Sequence, residues 1–138
     1  MFAYDSTARC FHQSSDALRD ACAKRALGIG ELPLGEQVRR CRQLDDNQSA
    51  ACLAELRSGW YWLIKFRMYN LEYKAQELIE KGVLEDTAVD FIVRMEQLKL
   101  AFNNGVTPEA KREVLLTASE AWNQFRLKAQ QELASGAT

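Results

Sequence analysis

Four cysteines near the start of the chain constrain its fold more than any other feature. Cys10 and Cys22 are 12 residues apart and Cys41 and Cys52 are 11 apart, with the turn-forming stretch GIGELPLG, residues 28–35, between the two pairs. If the flanking segments are antiparallel helices, residues equally distant from the centre of this turn lie opposite each other. Cys22 then faces Cys41 and Cys10 faces Cys52, so the sequence predicts a helical hairpin linked by two disulfides.

Two other states of these cysteines stay open at this point. Four reduced thiols can fill a helical core, as free cysteines often do. Metal or redox chemistry is the third possibility, although the rise along each helix, about 18 and 16.5 Å, is too long for four thiolates to share one tetrahedral ion. The sequence also has no CxxC motif. If the cysteines are bonded, the protein works in an oxidising compartment.

The rest of the sequence indicates an all-α protein. Glycine and proline lie mostly between long stretches rich in Ala, Leu, Glu, Lys, Arg and Gln, which favour helices. We expect residues 1–58 to form the hairpin. Residues 59–138 then form about three further helices that pack on the hairpin or on partner subunits, so the chain is one structural unit.

Helix start and stop residues predict the bounds of the individual helices. In chain order these are one from Ser6 or Ser15 to Leu27, one from Glu36 to Ser58 with a possible kink at 45–49, one from a possible hinge at Gly59 to Gly82, one from Asp86 or Thr87 to Asn103, and one from Thr107 to about Leu133. The residues predicted to face inward on the last two are Val89, Ile92, Val93, Leu98 and Phe102, and then Val114, Ala118, Ala121, Trp122, Phe125 and Ala129.

Composition argues against several classes of function. The chain has 18 basic and 19 acidic residues, interspersed, so it lacks the basic surface that nucleic-acid binding requires. Its longest uncharged apolar run near the middle, SGWYWLI at 58–64, is far shorter than the roughly 20 residues of a membrane span. The start MFAYDSTARCFHQ matches neither a secretory signal nor a transit peptide. We expect no nucleic-acid partner and no transmembrane span.

The sequence contains no pattern of residues that is typical of a catalytic or metal-binding site. His12 is the only histidine, and a nucleophile formed with the nearby Cys10 would be lost if that cysteine is bonded. The carboxylates of DDNQ, residues 45–48, lack the glycine and spaced oxygen ligands of a calcium loop. We therefore expect a protein that is not an enzyme, with no catalytic residue, no metal site and no cofactor.

The segment WYWLIKFRMY, residues 60–69, carries large apolar or aromatic side chains on all sides of a helix. It is either a central helix covered by later ones, or a helix that keeps part of its surface for a protein partner or a membrane surface. The candidate interface residues are Trp60, Trp62, Phe66, Tyr69, Trp122 and Phe125.

A hairpin built from paired Cys-x(n)-Cys segments resembles the coiled-coil-helix-coiled-coil-helix (CHCH) proteins of the mitochondrial intermembrane space, although the ten and eleven residues between these cysteines exceed the usual interval. The segment GEQVRRCRQLDDNQSAACLAELRSGWYWL is similar to the cysteine segment of the PDSW accessory-subunit family of respiratory complex I. The resemblance implies a non-catalytic accessory or assembly subunit of a respiratory-chain complex. It would lie peripherally on the intermembrane-space side of the inner membrane and stabilise neighbouring subunits.

A second likeness points to another class. The segment AKREVLLTASEAWNQFRLKA, with Trp122, Phe125 and Arg126, is similar to the tail of the LprI-like family of periplasmic lysozyme inhibitors, which are helical and cysteine-paired. The chain lacks that family's Asp-x-x-Leu-Asn motif after Cys22. This resemblance implies a bacterial periplasmic protein that binds and inhibits an enzyme such as lysozyme.

Overall fold

The computed structural model describes residues 7–30 and 32–136, and these residues are helical with short connections. A 3-10 helix at Ala8–His12 is followed by five α-helices. They are α1 (Asp16–Ala26), α2 (Leu34–Arg42), α3 (Asp46–Lys81), α4 (Glu85–Asn104) and α5 (Pro108–Gly136). The all-α prediction is confirmed. None of the helices in this described part of the chain is long and apolar enough to cross a bilayer.

The chain divides into two compact units, the first ending at Arg67 and the second beginning at Met68. Helix α3 contributes its N-terminal part to the first unit and its C-terminal part to the second. The boundary expected between residues 58 and 59 lies inside this helix.

Two of the predicted helix starts are confirmed by side-chain caps. The Leu18 N–H donates to Ser15 Oγ at 3.2 Å at the start of α1. The Ala110 N–H donates to Thr107 Oγ1 at 3.1 Å at the start of α5. Each cap satisfies a backbone donor that has no partner within its helix.

The predicted second helix is two helices, because the chain turns between Arg42 and Asp46. Asp45 begins the second of these by accepting a hydrogen bond from the Gln48 N–H at 2.9 Å. Gly59 is not a hinge, since α3 continues through it. A Cβ at Gly59 would lie 3.1 Å from Ile29 Cγ1, so the glycine permits a close approach of the α1–α2 connection to α3.

All four cysteines are bonded, but their pairing differs from the prediction. Cys10 is bonded to Cys22 and Cys41 to Cys52, with Cα atoms 5.6 and 5.4 Å apart. The predicted Cys22–Cys41 and Cys10–Cys52 bonds are wrong, and no disulfide joins α1 to α2. The reason is that the chain reverses inside each cysteine interval, after the 3-10 helix and again after α2, so consecutive cysteines meet.

The core of the first unit lies where the 3-10 helix and α1 pack on α3. Cys10, Ala23, Leu63 and Phe66 are buried there. Phe11 stacks on Phe66 with ring centroids 4.9 Å apart. The Cys10–Cys22 disulfide and aromatic side chains of α3 therefore both form part of this core.

The second unit consists of the C-terminal part of α3 together with α4 and α5. Its buried apolar residues are Met68, Ala75, Val83, Ala88, Phe91, Met95, Phe102, Ala118, Ala121, Phe125 and Ala129. The inward stripe predicted for α5 is confirmed at Ala118, Ala121, Phe125 and Ala129. On α4 the prediction is right for Phe102 and wrong for Val89 and Val93, which are 44% and 50% exposed.

Candidate functional site

A half-open groove lies in the first unit. Its volume is about 610 Å³. The α1–α2 connection, α2 and α3 form its walls. Apolar side chains line most of it, among them those of Leu27, Ile29, Leu56 and Trp62, together with the Cys41–Cys52 bond.

The groove has this form because three local features hold its walls in place. The Cys41–Cys52 bond joins α2 to α3. The nearly buried Gln37 donates from Nε2 to the Leu32 carbonyl oxygen at 2.6 Å and accepts from Trp60 Nε1 at 3.4 Å, so it ties the connection and α2 to α3. These bonds fix the width of the groove.

Two opposite charges lie on the walls of the groove. Arg40 belongs to α2 and Glu55 to α3, and both line it. Glu55 has no ion pair among the residues that the structure describes. Arg40 Nε is 3.9 Å from Glu36 Oε1, but Arg39 contacts the same carboxylate more closely, at 2.9 Å. Both charges are therefore accessible to a bound molecule.

Three of the six predicted interface residues lie in the first unit, and only Trp62 lines the groove. Lys65 Nζ lies 3.8 Å from the centroid of the Trp62 ring. Trp60 is half-buried, with the cations of Lys24 and Arg67 each 5.8 Å from its ring. Phe66 is only 3% exposed, which places it in the core and not on a surface that faces a partner.

The other three candidates lie in the second unit and do not line the groove. Phe125 is 5% exposed and stacks on Phe91, with centroids 4.6 Å apart, so it belongs to the core. Trp122 is half-buried, with Lys74 Nζ 4.9 Å from its ring. Tyr69 is also half-buried, under the ammonium group of Lys99.

The second unit holds a buried carboxyl group that the sequence analysis missed. Glu72 Oε2 lies 2.9 Å from Lys99 Nζ, and the same ammonium group contacts Glu96 and the Tyr69 ring. Burial raises the pKa of Glu72 to about 7, because the attraction of Lys99 offsets only part of the cost of removing the carboxylate from water and Glu96 adds repulsion. The Lys99 ammonium group thus pairs with two carboxylates, and of these only that of Glu96 is well exposed.

His12 and the carboxylates Asp45 and Asp86 do not form a site in the structure. His12 is exposed at the end of the 3-10 helix, and Cys10 beside it is bonded to Cys22. Asp45 caps α3, and Asp86 lies in the first turn of α4. Within residues 7–30 and 32–136 no group of three or more His, Cys, Asp or Glu side chains is placed to hold a metal ion.

Most of the groove residues were not predicted from the sequence, although the sequence holds a signal for them. Residues four apart on a helix share a face. Leu56 follows Cys52 by four residues and Gln37 precedes Cys41 by four, so each bonded cysteine marks the face of its helix that meets the other. That signal is usable only once the pairing is known.

Comparison of the chain with family profiles, with curated proteins and with solved structures finds no match.

Proposed function

We propose that this chain is a non-catalytic protein-binding module that works in an oxidising compartment. The observation that supports the proposal best is the groove walled by the Cys41–Cys52 bond. Disulfides persist in oxidising environments such as the periplasm and are rare in the reducing cytosol. A largely apolar groove held by a covalent bond changes little when it is filled, so binding to it loses little energy to reorganisation.

The proposal can be tested by photo-crosslinking from inside the groove. Benzoylphenylalanine is placed at Leu56 in one variant and at Leu18, which is 49% exposed on α1, in a control variant. Both are expressed in an oxidising compartment. We expect a defined protein crosslink from position 56 that is absent from position 18. Equal crosslinking from the two positions would contradict a groove-based binder.

The finer role that we propose is a periplasmic binder that inhibits an enzyme such as lysozyme. The support is the first unit, in which both disulfides join consecutive helices of the same chain. A muramidase assay tests this role directly. We expect the oxidised protein to inhibit in proportion to its concentration, with Leu56→Glu losing the effect and Leu18→Glu retaining it. Full muramidase activity at excess protein would refute the inhibitor role.

A second candidate is an accessory subunit of a respiratory-chain membrane complex on the intermembrane-space side. It is favoured by exposed apolar side chains on one face of α4, at Val89, Val93 and Leu100, which are 44%, 50% and 63% exposed and have the exposed Glu96 between the last two. Apolar side chains that share an exposed face are a common feature of interaction sites. The two roles differ in solution, because an inhibitor is a stable monomer whereas an obligate subunit aggregates alone. Sedimentation of the isolated chain separates them.

A further inference from the structure

The length of the groove fits three successive apolar side chains on one face of a partner's helix. Its lining on α3 runs from Cys52 to Trp62, which corresponds to about 15 Å at 1.5 Å per residue. Apolar side chains at positions i, i+4 and i+7 of a bound helix span about 10 Å, so three of them fit along this length. The apolar side chains of Leu27, Ile29 and Leu56 provide the surface against which such side chains pack.

The opposite charges on the two walls of the groove favour one orientation of a bound helix. The α2 wall carries Arg40. The α3 wall carries Glu55. A partner that places acidic side chains towards α2 and a basic side chain towards α3 satisfies both walls, whereas the reverse orientation brings like charges together.

We propose that the groove binds an amphipathic helix of a partner protein, whose apolar face is bordered by acidic residues on the α2 side and a basic residue on the α3 side. This inference rests on the proposed function and specifies its partner. The walls select both the apolar face and the orientation of the helix. The apolar side chains supply most of the affinity, and the two charges supply the specificity.

A displayed library of helical peptides tests the proposal with a defined probe. Large apolar residues are varied at i, i+4 and i+7, and acidic, basic and neutral residues are varied on both flanks. The full-length oxidised chain is the target. We expect selected peptides to carry acids on one flank and a base on the other. Leu56→Glu should weaken their binding by about tenfold or more, while Leu18→Glu leaves it unchanged.

Reversing the charges on the two walls of the groove gives an independent test, in which the charge order of the selected peptides is measured. Arg40 is 66% exposed, so Arg40→Glu is expected to fold normally. We expect Arg40→Glu combined with Glu55→Lys to select peptides with the opposite charge order. A charge order that does not change between the two targets overturns the proposal.

The remaining outcomes separate this inference from the proposed function. Peptides that bind Leu56→Glu as well as the wild type overturn the helix-in-groove inference, while protein binding elsewhere on the surface stands. Failure to select any peptide also overturns it, and small apolar molecules that shift the Leu56 methyl resonances would then identify a different kind of ligand. The crosslinking experiment tests the proposed function independently of the peptide selection, so the two can fail separately.

Discussion

The buried carboxyl group of Glu72 should make the stability of the second unit depend on pH. The side chain is 7% exposed, and its pKa rises from 4.5 to about 7 in the fold. At 1.36 kcal/mol per pKa unit, a rise of this size corresponds to about 3 kcal/mol. Because the folded-state pKa lies above the unfolded-state value, the associated stability is complete below about pH 4.5 and is lost as the pH rises through 7.

Glu72→Gln removes the titration and keeps the shape of the side chain. We expect the variant and the wild type to have similar free energies of unfolding near pH 4.5. At pH 8 the variant should be more stable by up to about 3 kcal/mol, because the amide does not need to be ionised in a buried position. Urea unfolding across this pH range measures the difference, and hydrogen exchange of α4 peptides assigns it to the second unit.

Glu96→Gln tests the cause of the shift, because Glu96 contacts the same Lys99 and its repulsion adds to the raised pKa of Glu72. Burial is the larger cause, so this variant should keep most, but not all, of the wild-type loss of stability between pH 4.5 and pH 8. If Glu72→Gln keeps the full wild-type loss of stability between pH 4.5 and pH 8, the argument from burial is refuted.

Three further predictions concern the disulfides, the glycines and a helix cap. Trypsin separates all four cysteines, so a non-reducing peptide map should find consecutive cysteines linked, and removing either bond should cost about 3 kcal/mol in urea unfolding. A Cβ at position 35 would have no heavy atom within 4 Å, so Gly35→Ala should raise the free energy of unfolding by about 0.5 kcal/mol. Gly59→Ala should raise it less, because the added Cβ contacts Ile29. Glu132 accepts from the Leu84 N–H and from Thr87 Oγ1, hydrogen bonds that lower its pKa, so Glu132→Ala should speed hydrogen exchange at the start of α4 and leave that of α1 unchanged.

Local signals carried most of the successful predictions of the fold. The caps at Ser15 and Thr107 depend on residues within one turn of the helix, and the buried stripe of α5 follows the helical period. On α4 the apolar residues occupy two faces, so periodicity alone could not tell which face is buried. The packing of α4 against its neighbours buries Phe91 and Met95 and leaves Val89 and Val93 exposed to solvent.

The cysteine pairing shows how one misread helix start changes a whole prediction. Cys41 and Cys52 can face Cys22 and Cys10 across a hairpin only if one helix runs through residues 45–49. Asp45 followed three residues later by Gln48 is a pattern typical of a helix start, and here Asp45 caps α3. Had this start been recognised, Cys41 and Cys52 would have lain on two helices joined by a tight turn. A bond between them, and hence the groove, would then have been the simpler expectation.

Glu72 marks the point at which sequence reasoning could locate a feature without explaining it. It lies in line with Met68, four residues before it, and Ala75, three residues after it, and both are buried. A carboxylate inside such an apolar stripe is a visible anomaly in the sequence. Its counter-ion Lys99 is on another helix, and no pattern within α3 could identify it. The position of the buried acid is therefore a local property, whereas its pKa depends on which cation the tertiary fold brings to it and on how that cation is shared.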